Sequence, residues 1–454
     1  MLTNLNWLEP GAVYPPEPES KRIKNYIKNE KLFLTERPDE WKELFDRLAR
    51  NTKKKYTDPD TVLNYQQLLS KKTADFVCGE PPEIETEADT DRLDDVLSAV
   101  GWQTRLYEAF IDVSRYGNAV LKIVGKGVTA VSPVYWFPIV DPADLKTVSQ
   151  HVIAYPISPD SRGQMTELYA EIHAVGSFET RIYGYDSVQK KLGELKSSVK
   201  SDTGLDGFAV QILTNVTHSS SIYGIDDYSV INSIVAKLMW RLLCIDTVLD
   251  KHSEPSMSGP SSSLTYDERF QTYYLDLGNY FRRDTTDDPD VKYITWDGNL
   301  EAAYKEIEFL TNQLYILSEM GQAFLEGGGG GTADSGTALK LRMTSPRIKA
   351  ARLVGMNDGT VKRLIVMLAG LNGISLDESA VTLHWSDGLP DDFTETVTTL
   401  STAVGGPIMS KYAALKRMGL SDDEAEAELE QMRTEAAADA PMNIDMFENS
   451  NGEQ

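Results

Sequence analysis

The sequence predicts an α+β protein with more than one domain. The chain has 454 residues, which is long enough for two to four domains of usual size. Apolar residues follow a helical period towards both ends of the chain and a period of two between about residues 119 and 216. Two long amphipathic segments, 226–252 and 302–325, also flank a small insert.

The first 118 residues predict helices after a proline-rich start. EWKELFDRLARN is a short amphipathic segment, and NYQQLLSKKTADFVCGEPPEI, residues 64–84, predicts a helix. That helix is expected to end at Gly79, before two prolines that cannot continue it. DRLDDVLSAVGWQTRLYEAFIDVSRYGN, residues 91–118, predicts further helical structure.

Short strands separated by turns are expected next, and they make this part of the chain a mixed α+β region. The segments that predict them are AVLKIVGKGVTAVSPVYWFPIVD, HVIAYPI, LYAEIHAVG, FETRIYGYD and FAVQILTNV.

The two amphipathic segments predict long helices. A helix of about 25 residues would be roughly 37 Å long. Four charged residues argue against a membrane span in the first: Lys237, Arg241, Asp246 and Asp250. The second has apolar residues at alternating spacings of four and three, which is typical of a helix packed lengthwise against other helices: Ala303, Ile307, Leu310, Leu314 and Leu317. SEPSMSGPSSS ends the first helix, and strand character is expected before residue 299.

The chain after residue 336 predicts a long helix, a strand and several short helices. Ser345 and Pro346 fit an N-cap and a first helical residue. The helix is expected to run to about Leu371, with a bend at 357–359. VTLHWSDGLP predicts a strand that ends in a turn, and the last 65 residues predict short helices and an acidic tail.

The formal net charge is −24, which argues against a nucleic-acid grip based on general basicity. The charge is uneven, because residues 421–454 carry 11 acids and one base. Residues 338–363 have a net charge of +6. Two interpretations of this basic segment stay open: it contacts phosphates, or it pairs with acidic neighbours and solvent.

No pattern predicts an enzyme, a cofactor or a metal. GTADSGTA has Thr337 where a phosphate loop needs lysine, and GKGVTA, residues 125–130, fits a hairpin turn better than a dinucleotide fingerprint. The five histidines never fall at helical metal-ligand spacing, and Asp-Pro turns explain TDPDT and DDPD better than a cation site does. Cys78 and Cys244 are expected to be free thiols.

Seven blocks carry a family resemblance through their order in the chain: NYQQLLSKKTADFVCGEPPEI, RYGNAVLKIV, SIYGIDDYSVINSIVAKL, KYITWDGNLEAAYKEIEFL, SGTALKLRM, LHWSDGLPDD and GGPIMSKYAALKRM. Taken in this order, they resemble the portal protein family of tailed bacteriophages, especially the branch found in phages of Gram-positive hosts. The glycine-rich run 327–331 and the short acidic C-terminus depart from that family.

The resemblance implies a portal-type fold, in which typically twelve subunits form a ring around an axial DNA channel. It implies a mixed wing domain, two stem helices, a small clip, a long kinked wing helix and a helical crown. The implied boundaries are wing 1–225, first stem helix 226–251, clip 252–299, second stem helix 300–325, tunnel loop 326–335, wing helix and strand 336–388, and crown with acidic tail 389–454.

The function implied is a conduit for double-stranded DNA during packaging and ejection, located in the virion after assembly in the host cytoplasm. The expected partners are the terminase large subunit, a head-tail adaptor, and the major capsid and scaffolding proteins, with no membrane. The candidate residues are the tunnel loop's Gly327, Gly328, Gly329, Gly330, Gly331, Thr332 and Asp334; Lys340, Arg342 and Arg347 for DNA backbone contact; and Arg282, Arg283 and Asp284 for docking at the clip.

Two alternatives are of different classes. One is a head or tail ring that never contacts DNA, which the basic segment disfavours. The other is an enzyme, such as a nuclease, whose metal site forms only from residues far apart in the sequence.

Overall fold

The computed structural model describes most of the chain in two compact units. The described residues are 1–52, 62–86, 90–253, 257–258, 264–275, 292–293, 300–321, 343–386, 393–406 and 408–438. The first unit comprises 1–331 and 342–388, and the second comprises 332–341 and 389–454.

Five helices and a short strand form the N-terminal part of the first unit. The helical structure predicted over 91–118 is confirmed, and it is divided into two helices by Gly101, which adopts a left-handed φ of +65°. The elements are α1 (Ser20–Phe33), α2 (Asp39–Thr52), α3 (Tyr65–Cys78), β1 (Glu83–Glu85), α4 (Thr90–Ala99) and α5 (Trp102–Tyr116).

Two antiparallel sheets follow, as the period of two predicted. One has the order β3-β2-β9 and the other β4-β5-β6-β7-β8. The strands are β2 (Asn118–Val124), β3 (Gly127–Val131), β4 (Trp136–Val140), β5 (Val148–Pro159), β6 (Met165–Ala174), β7 (Ser177–Asp186), β8 (Lys191–Asp202) and β9 (Val210–Thr214).

Strand β8 was missed because its sequence, KLGELKSSVKSD, has almost no apolar alternation. It lies at the edge of the five-stranded sheet, and most of its residues are exposed. Lysines on such an edge oppose pairing with another sheet.

Two large cores stabilise the first unit. One joins α3, α5 and the three-stranded sheet to a long C-terminal helix, and includes Phe110, Leu121 and Leu364. The other lies between the five-stranded sheet and the N-terminal segment, where Trp7, Tyr14 and Phe137 are in contact.

The two predicted long helices are present as α6 (Tyr228–Ser253) and α7 (Glu301–Leu317), which pack against each other as a helical hairpin. Helix α7 is shorter than the predicted 302–325, because the chain turns after Leu317, with positive φ at Glu319 and Gly321. Residues 322–342 lie outside the described part of the chain.

The long helix predicted after residue 345 is α8 (Thr344–Leu371). Its start differs from the prediction: Met343 is the N-cap, and Ser345 Oγ instead donates to the Glu319 carbonyl at 3.0 Å. The helix is uninterrupted at 357–359, and the predicted bend stays a prediction. Asn357 fixes α8 to β9, since its side chain accepts from Thr214 N at 2.7 Å and donates to Thr214 O at 3.0 Å.

The remaining elements are short. Strand character was expected before residue 299 and is confirmed in two small pairs, β10 with β13 and β11 with β12. Both cysteines are free thiols, as expected. The strands are β10 (Met257–Ser258), β11 (Leu264–Asp267), β12 (Thr272–Leu275), β13 (Lys292–Tyr293) and β14 (Thr382–His384), which pairs with β1; the helices of the second unit are α9 (Phe393–Gly405), α10 (Lys411–Arg417) and α11 (Asp422–Ala438).

A candidate self-association surface on the helical hairpin

The α6–α7 hairpin is held by an apolar seam and by an ion-pair cluster. Leu310 and Leu314, two residues of the predicted four-and-three pattern, are buried. Glu306 lies 3.1 Å from Lys237 Nζ and accepts a hydrogen bond from Arg241 Nη2 at 3.1 Å. Partial burial opposes ionisation of Glu306, but these hydrogen bonds hold its pKa below the usual range. The apolar seam and the ion pairs therefore hold α6 and α7 side by side.

Large apolar side chains remain exposed on both flanks of α7. Phe309 is 61% exposed and Ile316 is 66% exposed, and their spacing of seven places them on one face. At about 100° per residue, that face lies roughly 130° from the centre of the buried seam, and Tyr304, 54% exposed, lies on the opposite flank. Exposed apolar residues of this size are typical of surfaces that bind another protein.

Helix α6 also meets the length and composition criteria of a membrane-spanning helix. The segment Tyr228–Asp250 has a mean hydropathy of 1.3, but 44% of that window is buried inside the protein. Val235, Met239 and Trp240 belong to a core shared with α2, α3 and α7. We therefore interpret α6 as a helix buried by protein.

A buried ion pair ties the base of the hairpin to α8. Lys349 is 3% exposed, and its Nζ lies 2.8 Å from Asp227 Oδ2, immediately before α6. The same Nζ donates to the Ser318 carbonyl at the end of α7, at 3.2 Å. Ser114 and Asn215 donate to the two Asp227 carboxylate oxygens at 2.7 and 3.0 Å. We call these five residues the anchor network.

The sequence contains a pattern that indicates a buried polar contact at Lys349. Buried residues of α8 recur at spacings of three and four, and Lys349 and Asn357 fall in that row: Pro346, Lys349, Leu353, Asn357, Val361 and Leu364. A lysine on the buried face of a helix needs a partner, because burying an unpaired charge is costly. The pattern therefore predicts a partnered Lys349, although it does not identify Asp227.

An apolar groove runs beside the first half of α8. Its volume is about 560 Å³, and it is lined by Phe76, Ile348, Val354 and Trp385, among others. Trp385 is held in place because its Nε1 donates to Asp358 Oδ1 at 2.9 Å. Ile348, one of these lining residues, is exposed. We call this cavity the α8 groove.

Few of the residues predicted to contact DNA or partners fall in the described part of the chain. Arg347 does; it is exposed on α8 and lines the α8 groove. The others lie outside the described residues: Gly327, Gly328, Gly329, Gly330, Gly331, Thr332, Asp334, Lys340, Arg342, Arg282, Arg283 and Asp284.

The basic segment 338–363 is largely neutralised where it is described. Lys349 pairs with Asp227, and Arg352 pairs with Glu319. Lys362 Nζ lies 3.0 Å from an Asp358 carboxylate oxygen. Arg363 lies 3.6 Å from Glu378. For these four residues, pairing with acidic neighbours is the interpretation that the geometry supports.

A family model described as "Phage portal protein, SPP1 Gp6-like" matches residues 17–185 and 249–442, most of the chain. The chain belongs to this portal protein family. Portal proteins are structural ring proteins and not enzymes. Among the described residues of this portal protein, no group of three or more His, Cys, Asp or Glu side chains is placed to hold a metal ion.

Solved structures with a similar fold come from gene transfer agent (GTA) particles. The neck of a native particle, computed with C12 symmetry, is 12% identical with a TM-score of 0.42, and the match covers 79% of this portal protein and 89% of that chain. A chain from a virion of the native particle is 12% identical with a TM-score of 0.41, and the match covers 79% of this portal protein and 89% of that chain. A chain from the neck of an empty particle, computed with C6 symmetry, is 11% identical with a TM-score of 0.43, and the match covers 79% of this portal protein and 90% of that chain. A search of curated proteins found no match.

Proposed function

We propose that this portal protein assembles into a closed ring at a capsid vertex and that double-stranded DNA is packaged and ejected through its channel. The observation that carries the proposal is the pair of exposed apolar flanks on α7. In a ring, each subunit contacts two neighbours through two different patches, so an interface residue is needed on each side. Tyr304 lies on one flank, and Phe309 and Ile316 lie on the other.

The size of these side chains makes them sufficient anchors. A Phe side chain has about 200 Å² of surface, and 61% of Phe309 is exposed. Covering that area at about 25 cal/mol per Å² would contribute about 3 kcal/mol per interface. The α8 groove offers a second apolar surface for a neighbouring subunit. Twelve subunits are the expected number in the virion.

The channel is proposed to conduct DNA without a tight grip. The formal charge of −24 per chain repels phosphate, and the four paired bases of α8 add little positive charge. Arg347, Lys340 and Arg342 remain our candidates for weak backbone contacts.

We propose that the segment 326–335 is the tunnel loop, with Gly327–Gly331 supplying a backbone that changes shape at little steric cost. Support comes from the base of this segment: Ser345 and Arg352 both bind Glu319, so the chain before residue 322 is fixed to the chain after residue 342. A loop with a fixed base can move at its tip while the helices stay in place.

The remaining assignments rest on the sequence blocks. We propose that residues 252–299 form the clip, where Arg282, Arg283 and Asp284 would help to dock the terminase large subunit and the head-tail adaptor. Residues 389–454 would form the crown and its tail. Capsid and scaffolding proteins would bind the ring in the host cytoplasm, and the host would be Gram-positive.

A head or tail ring that does not contact DNA is the second candidate. Neutralisation of four bases on α8 favours it, because the positive charge that suggested DNA contact is mostly used inside the subunit. Cross-linking of packaged DNA to residues 326–342 in purified particles separates the two functions, since only a conduit gives DNA adducts there.

Two measurements test the proposal. Native mass spectrometry of the purified protein should show a closed oligomer, and class averages should show a central pore. Deleting 327–331 should leave the oligomer intact but lower the yield of DNA-filled particles at least tenfold. Normal yield from the deletion would remove the tunnel loop from the mechanism, and a monomer under all conditions would refute the ring.

A further inference from the structure

Helix α1 carries an exposed face of cationic and apolar residues in an otherwise acidic protein. The helix has five basic residues and one acid. Lys21, Lys24 and Lys28 are spaced by three and four, so they share one face over about 10 Å. No carboxylate of the described residues forms an ion pair with any of the three. Ile27, which is also exposed, lies beside Lys24 at a spacing of three, and the exposed Leu34 follows the last residue of the helix. We call this the α1 lysine face.

Buried contacts of Arg22 and Asn29 hold α1 rigidly. Arg22 donates to Glu19 at 2.6 Å, to the Pro133 carbonyl at 3.0 Å and to the Trp136 carbonyl at 2.7 Å. Asn29 donates to the Arg115 carbonyl at 2.8 Å. The lysines are therefore presented from a fixed backbone, which lowers the entropy lost when a partner binds.

A groove of about 630 Å³ runs along this face. Lys21, Lys24 and Lys28 line it together with Tyr116 and Tyr223. The two acids that also line it already have partners, because Glu19 binds Arg22 and Tyr223, and Asp226 binds Asn25 and Ser229. The lysines thus remain available for an external anion.

The partner that fits best is an acidic helix with an apolar side. Ile27 and Leu34 lie to one side of the lysines, and this combination suits the mixed surface of a helix better than a DNA backbone, which offers no apolar group to cover. Helix α11 of this chain has that chemistry: seven acids and one base in 17 residues. Glu428 and Glu435 share one face, and the partly exposed Met432 lies beside them.

We propose that the α1 lysine face binds helix α11 of a neighbouring copy of this chain. The two helices are similar in length, 14 and 17 residues. In a ring, each copy supplies one face and one helix, so every site is filled at equal stoichiometry. The inference rests on the proposed ring, and it names a contact between subunits that is distinct from the α7 flanks.

Isotope-coded cross-linking tests the contact directly. Rings of the full chain are assembled from equal amounts of unlabelled and ¹⁵N-labelled protein and treated with a carbodiimide, which joins only amines and carboxylates in contact. We expect mixed-isotope cross-links between Lys24 or Lys28 and Glu428 or Glu435. Cross-links that join only residues of one isotope would mean that α11 docks on its own subunit, and this result would overturn the proposal. The absence of any cross-link between α1 and α11 would overturn it as well.

Charge reversal gives a second readout. K24E/K28E and E428K/E435K should each lower these cross-links at least tenfold and make the rings dissociate at lower salt, whereas the four changes together should restore both. K126E/K200E, which reverses two exposed lysines elsewhere, is the matched control and should leave both unchanged. Failure of the combined variant to restore cross-linking would refute the pairing.

DNA is the competing occupant. If K24E/K28E abolishes binding of a fluorescent duplex while mixed-isotope cross-links are missing, the face binds DNA and the proposal falls. Rings that form without α1–α11 cross-links would overturn this inference alone. Absence of any ring would instead refute the proposed function.

Discussion

Replacing Lys349 by Met should make the base of the hairpin open far more often than the same replacement of a more exposed lysine on α8 would. Met keeps the length of the side chain but removes the ammonium group, which lies 2.8 Å from Asp227 Oδ2 and 3.2 Å from the Ser318 carbonyl. Asp227 would keep only its bonds from Ser114 and Asn215. The Asp227 carboxylate, whose side chain is 13% exposed, would then have lost its counter-ion.

The expected cost follows from the burial of the pair. Breaking a buried ion pair by removing one partner costs about 3–5 kcal/mol. At about 1.4 kcal/mol per factor of ten, local opening should become about 140-fold to 3,700-fold more frequent. Hydrogen exchange measured by mass spectrometry on peptides covering 310–321 and 343–355 reports this opening.

A matched control lies on the same helix. Lys362 pairs with Asp358 four residues earlier in a partly exposed position, where such pairs contribute about 0.3–0.5 kcal/mol, so K362M should change exchange only about twofold. The double variant K349M/D227N removes both charges and should recover most of the protection. If K349M exchanges no faster than K362M, the anchor network does not hold the hairpin.

Three further predictions concern the interface, the sheet and one close backbone approach. F309D should weaken each subunit contact by about 3 kcal/mol and release monomers in native mass spectrometry, whereas V188D, at an equally exposed turn, should not. Burial, next to a second histidine, lowers the pKa of His151 to about 3, so the neutral form is favoured on folding. The contribution of His151 to the free energy of unfolding is complete above its unfolded pKa of 6.5, and it is lost at about 1.4 kcal/mol per pH unit as the pH falls towards 3. H151Q should therefore flatten the pH dependence of urea unfolding between pH 6 and 4. G117A should cost about 4 kcal/mol in the same assay, because φ is +85° and a Cβ would overlap a neighbouring carbonyl, whereas G125A, with positive φ and open space, should cost about 1.5 kcal/mol; equal losses in the two would contradict this reasoning.

Elements whose apolar period is long and regular could be predicted from the sequence. The alternation of four and three identified α7 because burying Leu310 and Leu314 against α6 requires that spacing. Strands β4 to β7 were predictable for the same reason, since one face of the sheet is buried. Strand β8 was not, because an exposed edge strand needs no apolar side chains and is held by backbone hydrogen bonds.

Boundaries and pairings depended on contacts between residues far apart in the sequence. Ser345 looked like a cap, but its hydroxyl binds the carbonyl of Glu319, 26 residues earlier. The basic segment looked like a DNA contact, but Asp227 and Glu319 neutralise two of its bases from outside the helix. Local charge counting cannot detect such partners.

The closure of the chain at Glu319 and Ser345 sets a geometric limit on the glycine-rich segment. Residues 322–342 must leave and return at one place, so their 21 residues can extend to about half their contour length. At about 3.4 Å per residue that distance is roughly 35 Å. In the proposed ring, DNA must come within this radius of Glu319 to be touched by any part of the segment.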